Sequence, residues 1–232
     1  MSRDLYVSLS GASATWTHLE AISNNLANMS TTGYKAGRVA FKVAGPTDTP
    51  LGEAYAMSTE DRLDRQDGAL KRTENPFDLA VQGEGFFTVQ DQNGQTFLTR
   101  DGRFHMNENR ELVNNQGMTL MSDGGAVQVQ IEDDLRVTDD GRLVGSTSGE
   151  FGRLQISNAA DLERAGGNMF RPTSPIEIIE NPIVQQGALE ESNTDPLATM
   201  VELVQATRYF EVYQKAMQAS DEADSKLLRT GG

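Results

Sequence analysis

Residues 5–33 read LYVSLSGASATWTHLEAISNNLANMSTTG. Leu5, Leu9, Ala12, Trp16, Leu19 and Leu26 recur here at alternating steps of four and three, with Ser23 breaking the stripe. That period puts them on one face, so the spacing predicts an amphipathic helix. Its far end, Asn24-Asn25-Leu26-Ala27-Asn28, is poor helix-forming material, and Thr31-Thr32-Gly33 supplies the glycine expected past a helix C-terminus. The helix should stop near Met29 or Ser30, and Gly33 should turn the chain with positive φ.

The other end of the chain repeats the theme. Asn193-Thr194-Asp195-Pro196 offers a capping side chain followed by proline at the first helical position. Met200, Leu203, Thr207, Phe210, Met217 and Leu228 then fall on a three-and-four spacing, with Gln214, Asp221 and Asp224 as polar interruptions. Between the helices the period changes to two. Val127, Val129 and Ile131 alternate with Gln128 and Gln130, and Phe86–Val89, Thr96–Thr99, Met118–Met121 and Leu154–Ile156 read as further strands. Asn93-Gly94, Asp101-Gly102, Gln116-Gly117, Asp123-Gly124-Gly125 and Asp140-Gly141 separate them, each suited to positive φ in a hairpin. Residues 36–75 fit neither period well, carry Gly45-Pro46, Pro50 and Gly52 before Glu60-Asp61-Arg62, and look extended.

The predicted class is α+β. Residues 1–35 and 190–232 form a discontinuous helical domain with a coiled-coil-like seam, 36–75 an extended linker, and 76–189 a central antiparallel β domain.

Composition narrows function. With 34 acidic against 20 basic residues the formal net charge is −14, so phosphate backbones and anionic lipid repel the chain. Nucleic acid and membrane surfaces drop out as partners. No cysteine is present, which removes disulfides, thiolate metal sites and cysteine nucleophiles. No apolar run approaches the ~18 residues of a membrane span. Arg3, Leu5, Tyr6, Val7 and Ala12-Ser13-Ala14 superficially resemble a cleavable signal, but Asp4, Ser8, Ser10 and Gly11 spoil the apolar stretch and the residues fit the helix better.

Catalytic chemistry needs convergent groups, and they are scarce. His18 falls on the first helix and His105 in a strand, neither with a metal-ligand partner at helical or hairpin spacing. Asp133-Asp134 and Asp139-Asp140 read as solvated turn residues rather than a glycosidase dyad. Gly83-Glu84-Gly85-Phe86-Phe87-Thr88 lacks the third glycine and the following helix of a dinucleotide loop, so it reads as a tight turn. Gly145-Ser146-Thr147-Ser148-Gly149 has Thr where a nucleophile elbow needs Ser. Asp91-Gln92-Asn93-Gly94 is too short for a calcium loop. No active site, metal or cofactor is expected.

Two terminal helices with apolar stripes make one seam and leave flanks such as Ile22, Val201, Val204 and Tyr209 outside it. Such flanks call for packing between subunits, so the physical expectation is an assembly protein.

Several blocks carry a resemblance as well. Asn24-Asn25-Leu26-Ala27-Asn28 with Thr31-Thr32-Gly33-Tyr34-Lys35 resembles the signature of the bacterial flagellar rod and hook family. The similarity continues through Asn75–Phe87 and Thr99-Arg100-Asp101-Gly102-Arg103-Phe104. It resumes at Gln186–Asn193, with Pro196 and Arg208-Tyr209-Phe210-Glu211. Arg3–Ala12 is more similar to proximal-rod than to distal-rod members, while Ser30 stands where the family usually has Asn.

The resemblance implies a structural, non-enzymatic axial component of the flagellar basal body: terminal helices packed in the inner tube of the rod, a β domain outside, and a channel enclosed. It implies export by the flagellar type III apparatus without a cleaved signal, across the periplasm. The implied partners are further copies, proximal- and distal-rod proteins and the export apparatus, with no nucleic acid and no membrane insertion. The expected assembly interface comprises Leu5, Leu9, Trp16, Leu19, Ile22, Asn24, Asn25, Leu26 and Asn28 with Met200, Leu203, Val204, Phe210 and Met217, and Gly33 as the linker turn. Two alternatives stand beside it: a distal-rod or hook-type protein, and a secreted carbohydrate-binding β protein using Phe86, Phe87, Phe97 and Phe104 as an aromatic platform.

Overall fold

A computed structural model describes residues 3–44, 56–130 and 134–230. Helix α1 (Arg3–Ala27) precedes strands β1 (Gly37–Ala44), β2 (Ala56–Leu63), β3 (Leu70–Arg72), β4 (Leu79–Gln82), β5 (Phe86–Gln90) and β6 (Thr96–Thr99). Then come β7 (His105–Met106), β8 (Leu112–Val113), β9 (Thr119–Ser122), β10 (Gly125–Ala126), β11 (Arg136–Val137), β12 (Arg142–Gly145) and β13 (Gly149–Arg153). The chain continues with β14 (Ile156–Asn158), β15 (Leu162–Gly166), β16 (Met169–Pro172), β17 (Glu177–Ile178), β18 (Ile183–Gln186), β19 (Ala188–Glu190) and helix α2 (Pro196–Thr230). The class is α+β: a helix at each end of the chain and a large antiparallel β region between them in sequence.

The chain divides into two compact units. One holds residues up to Met29, Ala36–Asp64 and the chain from Thr194; the other holds Ser30–Lys35 and Arg65–Asn193. Within residues 36–75, β1 and β2 form a hairpin with Gly37 opposite Leu63 and Ala44 opposite Ala56. In sequence, Val39, Phe41 and Val43 of β1 alternate with Arg38 and Lys42, whereas β2 carries the charged run Glu60-Asp61-Arg62. Pro46, Pro50 and Gly52 lie outside the described residues.

The β unit is built on a sheet running β15-β16-β6-β5-β9-β8-β7, with β10 beside β9 and β14 joining β5 to β17. β11, β12 and β13 form a smaller sheet, β18 pairs with β4, and β19 pairs with β3. Leu79, Val81, Phe87, Val89, Leu112, Leu120, Leu143, Ile156 and Val184 make one continuous core. Phe87 meets Phe104 edge-on at 5.4 Å, and Phe86 meets Phe170 at 5.5 Å on the other face of β5. Val127 and Val129 are buried between exposed Gln128 and Gln130 as the alternation predicts, although Gln128 makes only an isolated bridge to Glu111. Ile131 lies outside the described residues. Leu154 makes an isolated bridge to Ser122 between β13 and β14.

Gly94, Gly117, Gly125 and Gly141 take positive φ as their turns require. Gly102 does not. It is glycine because the chain passes so close to β4 that a Cβ would fall on the Leu79 carbonyl oxygen, 1.6 Å away. The Gly102 carbonyl accepts from Leu79 N at 3.0 Å in return.

Candidate functional site

The helical pair is built from small residues. α1 and α2 run antiparallel, Gly11 beside Tyr213 and His18 beside Glu202. Gly11, Ala12, Ala14, Thr15 and Ile22 of α1 and Thr199 and Ala206 of α2 are buried. A Cβ on Gly11 would lie 2.6 Å from the Tyr213 ring, so the glycine lets that ring approach the helix backbone. Thr15 Oγ1 donates to the Gly11 carbonyl at 2.7 Å, which satisfies its hydroxyl inside the seam. A cavity of about 340 Å³ opens where larger residues meet, lined by Thr15, His18, Glu202, Gln205, Ala206, Tyr209 and Tyr213.

This seam is rotated from the one the leucine stripe suggests. Leu9 and Trp16 are each 54 % exposed, whereas Ile22, expected on the flank, is buried at 2 %. Spacing explains the correction: positions 11, 15, 18 and 22 are four, three and four apart, and Gly11 and Thr15 permit closer approach than leucine would. Leu19, Leu26, Leu203, Phe210 and Met217 are half-buried, and Phe210 packs against Trp16 with ring centroids 5.7 Å apart. Met200, Val201, Val204, Tyr209 and Val212 are exposed. Leu5 lies within α1, its side chain outside the described ones.

The asparagines close α1. Asn25 Nδ2 donates to the Gly37 carbonyl and Asn25 Oδ1 accepts from Gly37 N, both at 2.8 Å, so one side-chain amide satisfies both backbone polar groups of Gly37 at the start of β1. Asn28 Nδ2 donates to the Asn24 carbonyl at 2.8 Å, while the Asn24 side chain is exposed. At the start of α2, Asp195 Oδ1 accepts from Leu197 N at 2.9 Å and Ala198 N at 3.2 Å, an N-cap with Pro196 as the first helical residue.

The β unit holds a buried ion cluster. Lys35 Nζ donates to Glu190 Oε1 at 2.7 Å and to the Gln66 carbonyl at 2.6 Å. Arg100 Nη1 donates to Glu190 Oε2 and to the Val81 carbonyl, both at 2.9 Å, and its Nε and Nη2 donate to the carbonyls of Gly85 and Gly83. Asp67 Oδ1 sits 3.3 Å from Arg100 and 3.7 Å from Lys35. Burial pushes the Lys35 ammonium below its ordinary pKa and the Arg100 charge pushes it further, while Glu190 opposes both.

The same cluster explains the Gly83–Gly85 turn. Gly83 and Gly85 take φ of 79° and 110°, and their carbonyls point at a guanidinium. A phosphate cradle needs converging N–H groups, the opposite polarity. Phe86, Phe87, Phe97 and Phe104 are all buried, which removes the aromatic platform of the carbohydrate-binding alternative. His105 is exposed, and His18 Nε2 lies 3.3 Å from Glu202 Oε1. Among the described residues no three His, Asp or Glu gather as metal ligands. Asp91 accepts from Asn93 N and Gln95 N, and Asp140 from Thr138 Oγ1, so both carboxylates are turn-forming. Asp133 lies outside the described residues.

Three segments match described families. Residues 5–35 match "Flagella basal body rod protein", 80–146 match "Flagellar hook protein FlgE/F/G D1 domain", and 185–230 match "Flagellar basal body rod FlgEFG protein C-terminal". The chain is 31% identical to the flagellar basal-body rod protein FlgF of Mesorhizobium japonicum, over 100% of this chain and 99% of that one. It is 32% identical to FlgF of Rhizobium meliloti over the same shares, and 30% identical to FlgG of Buchnera aphidicola subsp. Acyrthosiphon pisum over 98% and 99%.

The chain belongs to the flagellar basal-body rod family.

Family membership fits a structural component of the basal-body rod and of motility. Each matched segment of this rod-family chain contains one member of the buried cluster: Lys35 in the first, Arg100 in the second, Glu190 in the third. In the sequence these charges stand inside the motif blocks with no role assigned to them by spacing or period. The available signal was an ionisable residue set among strand-like or apolar neighbours, as in Leu98-Thr99-Arg100 and Ala188-Leu189-Glu190. Their mutual pairing had no local signal.

Proposed function

We propose that this chain is a proximal-rod subunit, FlgF-like, that assembles through its terminal helices into the axial shaft of the flagellum around the export channel. The observation that carries the reading is the apolar surface left on the helical pair: Leu197, Val201, Val204 and Val212 on α2, and Leu9 and Trp16 on α1. Apolar side chains repeated along two helices are covered in a stable assembly by other helices, in coiled-coil-like seams between neighbouring copies and neighbouring rod proteins. The assembly residues are those named from the sequence, with Ile22 serving the seam inside one chain. Of the terminal segments expected at 1–35 and 190–232, the helices α1 and α2 act as the assembly domain, while Ser30–Lys35 and Arg65–Asn193 form the outer β domain. The subunit is exported by the flagellar type III apparatus without a cleaved signal, and its role is structural rather than enzymatic.

The FlgF assignment is supported by the opening Arg3–Ala12 and by alignment lengths of 245 and 241 positions for the two FlgF relatives against 258 for the Buchnera FlgG. The FlgG identity of 30% keeps a distal-rod role as the second reading. Cryo-electron tomography of basal bodies from the host, with this chain deleted and then restored with an epitope insertion at the Asp123-Gly124 turn, separates them. Deletion should end the rod at its proximal part and the label should sit there; label along the distal rod or in the hook would refute the proximal assignment.

A further inference from the structure

Lys35, Arg100 and Glu190 come from distant parts of the chain and meet at 0, 2 and 1 % exposure. The carbonyls of Gln66, Val81, Gly83 and Gly85 take up hydrogen bonds of the two cations and leave their charge uncompensated. Asp67 has a side chain 41 % exposed, so its charge is shared with solvent. The fully buried counter-charge is Glu190, and one carboxylate oxygen goes to each cation.

The segment carrying Glu190 is also bound along its backbone. β19 pairs with β3, Gly33 N donates to the Glu190 carbonyl at 2.6 Å, Glu191 N to the Ala69 carbonyl at 2.8 Å, and Asn193 N to the Tyr34 carbonyl at 3.3 Å. Gly68 N adds a bond to Glu190 Oε1 at 2.9 Å. With this segment absent, closing the apolar unit would bury two cations with no buried carboxylate. An uncompensated buried charge opposes closure strongly.

We infer that Glu190 is the closing latch of the β unit: this carboxylate, among the last of its residues to be synthesised, seats between Lys35 and Arg100 at the end of folding and holds the closed unit shut. The pair gains its full strength only after water has left, so the latch closes after the rate-limiting barrier. Nothing in this depends on the rod assignment.

The test uses the full chain with Glu190→Gln, Glu190→Ala and, as control, Glu191→Gln at the exposed neighbouring acid. Pulsed hydrogen exchange read on peptides covering 79–106 follows unfolding and refolding of the β unit. Unfolding should accelerate roughly a hundredfold in both Glu190 variants while refolding stays within about threefold of wild type, and Glu191→Gln should leave both rates unchanged. In a Lys35→Met background, Glu190→Gln should accelerate unfolding at least about tenfold less, because one cation no longer needs it. If Glu190→Ala never protects 79–106, the rates are read from Glu190→Gln. Refolding slowed by the same factor as unfolding is accelerated, unchanged rates in both variants, or an undiminished effect in the Lys35→Met background would each overturn the latch.

Discussion

The Gly33 amide donates to the Glu190 carbonyl at 2.6 Å, with Gly33 at φ 64°. The turn that follows α1 is thereby fastened to the strand that precedes α2, and both belong to the β unit. A Cβ on Gly33 would stand 2.3 Å from the Arg100 carbonyl carbon, on the backbone of the residue that completes the ion cluster.

Gly33→Val therefore does more than stiffen a linker. Positive φ alone costs a β-branched residue about 1–3 kcal/mol, and the clash with Arg100 backbone adds to it. The β unit should lose stability in urea unfolding, and a host carrying only this variant should not swim. Normal motility with an unchanged midpoint would contradict this.

Charges placed on the helical pair should sort by what each position touches. Leu26→Asp and Phe210→Asp strike half-buried positions, the second against Trp16, and should lower thermal stability of the helical unit by about 2–4 kcal/mol and prevent rod formation. Val204→Asp changes an exposed side chain, so it should shift stability by less than about 0.5 kcal/mol yet still abolish motility. Asp123→Asn retains the oxygen that accepts from Arg153 N at 2.9 Å and should be silent. Swimming by a Val204→Asp strain would exclude that face from assembly.

Two glycines should fail by different mechanisms and by different amounts. Gly117 has φ 77° with open space around it, so Gly117→Ala should cost about 1–2 kcal/mol, the left-handed penalty alone. Gly102→Ala would place a methyl against the Leu79 carbonyl and must break the contact between that turn and β4. Its cost should exceed about 3 kcal/mol, with the rise in hydrogen exchange centred on Leu79–Gln82. Equal midpoints for the two variants would contradict the close-approach reading.

Lys35 sets a signed pH dependence. Its folded pKa is lowered, so between that value and the ordinary ~10.4 the unfolded chain holds more protons than the folded one. Stability contributed by this group therefore rises with pH across that window and is flat below it. Measured against Lys35→Met, wild type should gain in urea midpoint as pH climbs from neutral towards about 10. A difference that falls over the same range would contradict the burial argument.

Local signals carried much of the architecture. Asp195-Pro196 started α2 where a capping acid and a first-turn proline should, the asparagine run after Ser23 ended α1, and Asn93-Gly94, Gln116-Gly117 and Asp140-Gly141 turned with positive φ. Each is a preference of a few neighbouring backbone units, so neighbouring residues suffice to express it. The β1–β2 hairpin was less legible because the acids of β2 hid its period.

Which side of α1 is buried was decided elsewhere. The leucine stripe named a face, but Gly11 and Thr15 won the seam because antiparallel approach to Tyr213 and Ala206 favours small side chains, a property of the pair and not of either helix. Gly102, placed by sequence among the hairpin turns, is glycine because of Leu79, a contact that no window around Asp101 contains. Lys35, Arg100 and Glu190 are ordinary charged residues until the sheet order brings β19 beside β3 and Arg100 beneath the Gly83–Gly85 turn. Composition and period by themselves determined two terminal helices, an antiparallel middle and their turns, because those follow from local backbone preference. The helix face, the closed contacts and the charge cluster were decided only by tertiary structure, because each depends on the distance between residues that the chain keeps far apart until it folds.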